Sequence, residues 1–146
     1  SLTRQNVAQV RLDYCEENLC AKGGYILREA SSEAKVVILA TGSEVEIAMN
    51  AREKLESAGV PTRVVSMPCF ELFDAQTATY RHSVIPADVV MVSVEAGATF
   101  GWERYVGRNG IMIGMNSFGA SAPAPELYEY FGITADAIVS QVRNKL

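Results

Sequence analysis

Histidine occurs once in this chain of 146 residues, at His82, and cysteine three times, at Cys15, Cys20 and Cys69. A serine or cysteine nucleophile normally needs a base beside it, so a single histidine leaves little room for nucleophilic catalysis. His82 lies in the run Tyr80-Arg81-His82-Ser83, at what reads as a helix end, where a solvated imidazole beside the helix C-terminus is the plainer assignment. One histidine and scattered thiols cannot build a metal site, and Cys15 and Cys20 lack the two-residue gap of a redox or zinc knuckle. The thiols are read as free, in a reducing cytoplasm. Long apolar runs are missing too. Val36–Ala40 and Val89–Val92 stop far short of the roughly 20 residues that cross a bilayer, so no membrane partner is expected. The opening Ser1-Leu2-Thr3-Arg4-Gln5-Asn6 is polar where a secretory signal would be apolar and has no initiating methionine, so a piece of a longer chain is expected.

Basic residues are outnumbered, 13 against 17 acidic, giving a net charge of −4. Such a surface repels polyanions on average, and nucleic acid is not an expected partner, although a small anion can still bind locally. What is abundant is apolar: 49% hydrophobic and 21% charged residues describe an ordinary soluble globular chain. Its length suits one domain burying about 68–70% of its unfolded surface.

The pattern alternates strands with helices. Residues 1–23 read as a linker and 24–146 as one α/β domain, opened by the turn signal Gly23-Gly24 and a strand over Tyr25–Arg28. Val36-Val37-Ile38-Leu39-Ala40 is a β-branched run suited to a central strand buried on both faces. Thr41-Gly42 then turns, and Ser43 with Glu46 forms a Ser-x-x-Glu capping box opening a helix to about Ala58, stopped by Gly59. Thr62–Ser66 is the next strand, Asp74 is expected to cap a helix through His82, and Asp88–Val94 and Ile111–Met115 are further strands. Pro123 or Pro125 suits the first turn of a helix through Phe131, and Thr134 opens a terminal helix with Ala135, Ile138, Val139, Val142 and Leu146 on one face. The expected architecture is a three-layer α/β fold: a mostly parallel five-stranded sheet, helices on both faces, and one antiparallel edge strand.

Two places invite a ligand. A helix N-terminus after a parallel strand is a common phosphate site, but the Thr41–Glu46 unit has no G-x-G-x-x-G and no Walker lysine, and Glu44 and Glu46 put negative charge where a phosphate would sit. A well-capped structural helix is the better assignment. The glycine-aromatic segments Glu95–Trp102 and Phe118–Pro125 follow buried strands, which places them at the carboxyl edge of the sheet. Residue types leave two readings open there: loop packing, or a partner surface carried by Phe100, Trp102 and Phe118.

Seven blocks, taken together, carry a resemblance: Thr3–Asn6, Lys22–Tyr25, Ala40–Glu46, Val64–Pro68, Phe73-Asp74, Tyr105–Gly107 and Phe118–Pro123. In this order and spacing they resemble the C-terminal third of the transketolase family, with Val7-Ala8 standing where many members read Leu-Pro. The resemblance implies a homodimeric enzyme that uses thiamine diphosphate with magnesium or calcium to move a two-carbon ketol unit between sugar phosphates. It also implies that cofactor and catalytic groups lie on other domains, so that this piece binds no cofactor and is inactive alone, serving dimer assembly and access to the active site. By the same resemblance Arg4 matches the arginine that helps bind the substrate phosphate, a task that suits a guanidinium. The C-terminal domain of dihydroxyacetone synthase would look similar. From another class, a regulatory module with a small effector between Thr41–Glu44 and the Gly97–Gly101 loop is the alternative.

Overall fold

Val36, Val37, Ile38, Leu39 and Ala40 are all completely inaccessible, which only a strand covered on both faces achieves. The computed structural model describes residues 3–146, so the first two residues of the expected linker lie outside it. Five strands, β1 (Tyr25–Arg28), β2 (Val36–Ala40), β3 (Thr62–Ser66), β4 (Val90–Ala98) and β5 (Ile111–Met115), form one sheet in the order β1-β3-β2-β4-β5. β1 pairs antiparallel with β3 and the other pairs are parallel. This is the α/β arrangement expected, including the antiparallel edge.

Among the described residues the helices are α1 (Glu44–Ser57), α2 (Phe70–Asp74), α3 (Ala78–Val84), α4 (Glu103–Val106), α5 (Ala124–Phe131) and α6 (Ala135–Arg143), with a 3-10 turn at Leu19–Lys22. The period-two alternation of β2 decides which layer each side chain joins. Val36, Ile38 and Ala40 meet Ala48, Ala51 and Leu55 of α1 and Ile138 and Val142 of α6. Val37 and Leu39 face the other way, toward Phe73, Val84, Trp102 and Val106. Each fully buried Val, Leu or Ile contributes about 1.5–3 kcal/mol of transfer free energy, so this double core carries the sheet.

Several boundaries differ from the sequence reading. Ser43 does not form a capping box: it lies in the right-handed helical region, and no side-chain bond from it caps α1. Its hydroxyl donates instead to Glu44 Oε1 at 2.8 Å, while Glu46 Oε2 accepts from the Ala8 amide at 3.3 Å. Asp74 ends α2 rather than opening a helix, because Tyr105 Oη and Arg104 take its carboxylate. Thr77 caps α3, its Oγ1 accepting from the Tyr80 amide at 3.2 Å. β4 runs on through Glu95–Ala98, expected as loop, because Ala98 pairs with Met115 beyond an irregularity in register. Gly114 permits this closeness: a Cβ there would lie 2.9 Å from the Gly97 carbonyl oxygen. Thr134 opens α6 as expected, accepting from the Ala137 amide.

Candidate functional site

The linker crosses onto the domain at the turn between β2 and α1. Val10 packs against the α1 side of the core, the Arg11 guanidinium lies 5.9 Å from the Tyr25 ring centroid, and Ala8 is tied to Glu46 as above. Further upstream, Thr3 Oγ1 accepts from the Gln5 amide at 3.2 Å, closing a bend with Arg4 in its middle. Arg4 is exposed, and among the described residues it makes no ion pair. Gln5 Nε2 donates to Tyr128 Oη at 3.2 Å and lies 3.5 Å from Ser43 Oγ. Tyr128 Oη in turn donates to Glu44 Oε1 at 2.5 Å. Glu44 is only 5% exposed, a rare burial for a carboxylate, and two hydroxyl donors meet one of its oxygens. Burial pushes the Tyr128 phenol above its ordinary range, and the bond to Glu44 reinforces the shift. Beside this cluster an apolar cavity of about 190 Å³ opens between Ala96, Met115, Leu127 and Phe131.

The three aromatics expected at a partner surface separate into two environments. Phe100 and Phe118 are 90% and 99% exposed, on either side of a shallow groove of about 600 Å³ that also takes in Thr99, Met115 and Asn116. Trp102 is 3% exposed. Its ring stands edge-on to Phe70 at 5.1 Å between centroids and its Nε1 donates to Glu95 Oε2 at 2.8 Å, so the indole belongs to the core and offers no surface to a partner. The sequence could not separate the three, since a buried tryptophan with a partner for its N–H looks in one dimension like an exposed one.

His82 is exposed in the last turn of α3. It borders a cavity of about 430 Å³ with Arg81, Arg104, Asp74 and Tyr105. The Tyr105 hydroxyl lies 3.2 Å from both Asp74 oxygens, and burial, with the Asp74 charge and hydrogen bond, pushes its pKa up to about 12. A phenol held this firmly in its neutral form is no base at neutral pH. Cys15, Cys20 and Cys69 are free thiols.

Among the described residues no group of three or more His, Cys, Asp or Glu side chains is arranged to hold a metal. The α1 N-terminus is already faced by Glu44 and Glu46. Among the described residues no helix is long and apolar enough to cross a membrane.

Residues 23–134 match the model of the transketolase-like TK C-terminal domain. The whole chain aligns with a transketolase from Rhodobacter capsulatus at 46% identity, covering 100% of this chain and 23% of that protein. A solved transketolase from Leishmania mexicana superposes with a TM-score of 0.79 at 48% identity, over 86% of this chain and 18% of that one. A transketolase from Pichia stipitis solved with sedoheptulose-7-phosphate does so with a TM-score of 0.77 at 40% identity, over 85% and 18%. This chain thus spans about a fifth of the length of the proteins it matches. Because that family model takes in residues 23–134, well over half of the chain, the chain belongs to the transketolase C-terminal domain family.

Proposed function

We propose that this chain is the terminal domain of a full-length transketolase, a cytoplasmic homodimer that transfers a two-carbon ketol unit from a ketose phosphate to an aldose phosphate. The observation that carries this reading is the alignment of the chain over its full length with a transketolase. The solved relative that holds a seven-carbon sugar phosphate supports the substrate class. Thiamine diphosphate with magnesium or calcium belongs, in this reading, to the domains that precede the chain. This domain contributes Arg4, held at the bend of the linker, as a clamp on the substrate phosphate. Phe100 and Phe118 face a neighbouring domain or the second subunit, since exposed aromatics flanking a groove are what interfaces enrich.

Arg4→Ala in the full-length enzyme tests the reading. Loss of one charge-assisted contact of about 1.5–3 kcal/mol lowers kcat/KM for a sugar phosphate roughly 10- to 150-fold. The loss on an unphosphorylated ketose is several-fold smaller. Equal losses on both substrates would assign Arg4 to the linker's structure instead.

A further inference from the structure

A buried carboxylate 40 residues downstream of Arg4 ends a chain of hydrogen bonds that begins at Arg4's neighbour. An ionised carboxylate only accepts, so the hydroxyls of Ser43 and Tyr128, at 2.8 and 2.5 Å from Glu44 Oε1, must both donate to it. Each hydroxyl has a single hydrogen, and with that hydrogen spent on Glu44 its oxygen can only accept from elsewhere. The Ser43–Tyr128 contact of 3.3 Å therefore holds no hydrogen bond of its own, and both oxygens present lone pairs to Gln5. Gln5 meets the Tyr128 oxygen with its amide nitrogen at 3.2 Å and Thr3 Oγ1 with the same nitrogen at 3.1 Å; those two bonds use both of its hydrogens, and Ser43 Oγ, at 3.5 Å, is the outlying contact. The sense of every bond is set from the buried end outward. A carboxylate at position 5 would face lone pairs, and an apolar residue would leave them unmet.

From this geometry we infer that Glu44, Tyr128 and Gln5 form a latch that positions Arg4 for its substrate phosphate. The inference rests on the phosphate role proposed above. Arg4 lies between two anchored residues: Thr3 and Gln5 close the bend around it, and Gln5 is fastened to Tyr128 of α5, which in turn holds Glu44 in the first turn of α1. The second tether, Ala8 to Glu46, lies three residues further on and ends on the same first turn of α1. An arginine on a free linker would sample many orientations, and each would have to be frozen out on binding. Fixing the backbone on both sides of Arg4 removes the backbone share of that cost before substrate arrives. Gln5, Tyr128 and Glu44 are thus positioning residues, acting on the substrate only through Arg4.

The test is a kinetic comparison in the full-length enzyme. Gln5→Ala alters an exposed linker side chain and Tyr128→Phe removes one hydroxyl. Each is expected to raise KM for a ketose phosphate about 5- to 20-fold while kcat changes less than about twofold, with a smaller rise for the unphosphorylated ketose. In an Arg4→Ala background the same two substitutions should add nothing further, the signature of residues acting through one another. Equal KM increases on both substrates, or full additivity with Arg4→Ala, would overturn the latch. If Tyr128→Phe fails to fold, Gln5→Ala alone decides. A phosphate-selective loss in Arg4→Ala with none in Gln5→Ala would sink the latch and leave Arg4's role standing. No selective loss in Arg4→Ala would sink both.

Discussion

Trp102 and Glu95 are joined by an indole N–H donating to a carboxylate oxygen at 2.8 Å, and that bond folds the loop after β4 back onto the sheet. Glu95 stands on β4 and Trp102 immediately precedes α4, so the bond spans the whole turn between them. Phe70 and Tyr105 close around the ring at 5.1 and 6.1 Å between centroids. Trp102→Ala should therefore destabilise the domain by about 3–5 kcal/mol, the range for emptying a large aromatic site. Denaturant unfolding of the 146-residue chain measures this directly. A stability change under about 1 kcal/mol, with a weakened dimer in the full-length enzyme, would return Trp102 to the interface.

Gly23 and Gly59 offer a paired test of backbone strain. Both have positive φ, +77° and +76°, where a side chain costs roughly 1–2 kcal/mol on conformation alone. A Cβ at Gly59 meets nothing within 4 Å, whereas one at Gly23 would lie 2.2 Å from the Phe73 nitrogen and 2.3 Å from the Cys69 oxygen. Those are backbone atoms that cannot rotate aside. Gly59→Ala should cost only the conformational amount and Gly23→Ala clearly more. Equal costs by thermal or denaturant unfolding would mean that the junction between linker and β1 is looser than described.

Tyr105 gives the chain an alkaline limit. Its folded pKa of about 12 lies above the ordinary value of 10.0, because burial and then the Asp74 charge disfavour the phenolate. Below pH 10 both states keep the proton, and this residue adds no pH dependence. Between pH 10 and about 12 the unfolded chain has lost the proton that the folded chain holds, so stability falls as pH rises through that window and levels off above it. Tyr105→Phe should make that fall shallower. An identical slope in wild type and variant would contradict the assignment.

How much of this was legible in one dimension depends on how local each cause is. The β2 run, the Gly59 stop and the Thr134 cap act within a few residues, and the structure has them where the pattern puts them. Ser43 and Glu46 carried the right spacing for a capping box, yet neither makes it. Ser43 spends its hydrogen on the adjacent Glu44, a carboxylate that Tyr128, 84 residues along from it, holds in place, and Glu46 takes the linker amide of Ala8, 38 residues away; no short window contains these distant partners. Asp74 was misassigned for the same reason, since Tyr105 is 31 residues off. The latch went unseen because Gln5 and Tyr128 are 123 residues apart. Arg4 was reachable only through the family's Thr-Arg-Gln-Asn block.

Phe100 and Phe118 should weaken assembly without weakening the fold. They are 90% and 99% exposed, so Phe100→Ser with Phe118→Ser should change the stability of the isolated chain by no more than about 0.5 kcal/mol. In the full-length enzyme the pair should raise the dimer dissociation constant at least about tenfold, as loss of two exposed anchors does at an interface. Sedimentation of both proteins reads the two effects separately. An unchanged dimer would leave these rings as solvated loop residues.

The most direct measurement is ketol transfer itself, from a ketose phosphate to an aldose phosphate, with thiamine diphosphate and magnesium supplied to the full-length protein and to the 146-residue chain in parallel. Transfer is expected from the full-length protein and none from the chain alone, with no saturable micromolar binding of the cofactor when the chain is titrated calorimetrically. Transfer or cofactor binding by the isolated chain, or no transfer by the full-length protein with cofactor bound, would contradict this expectation.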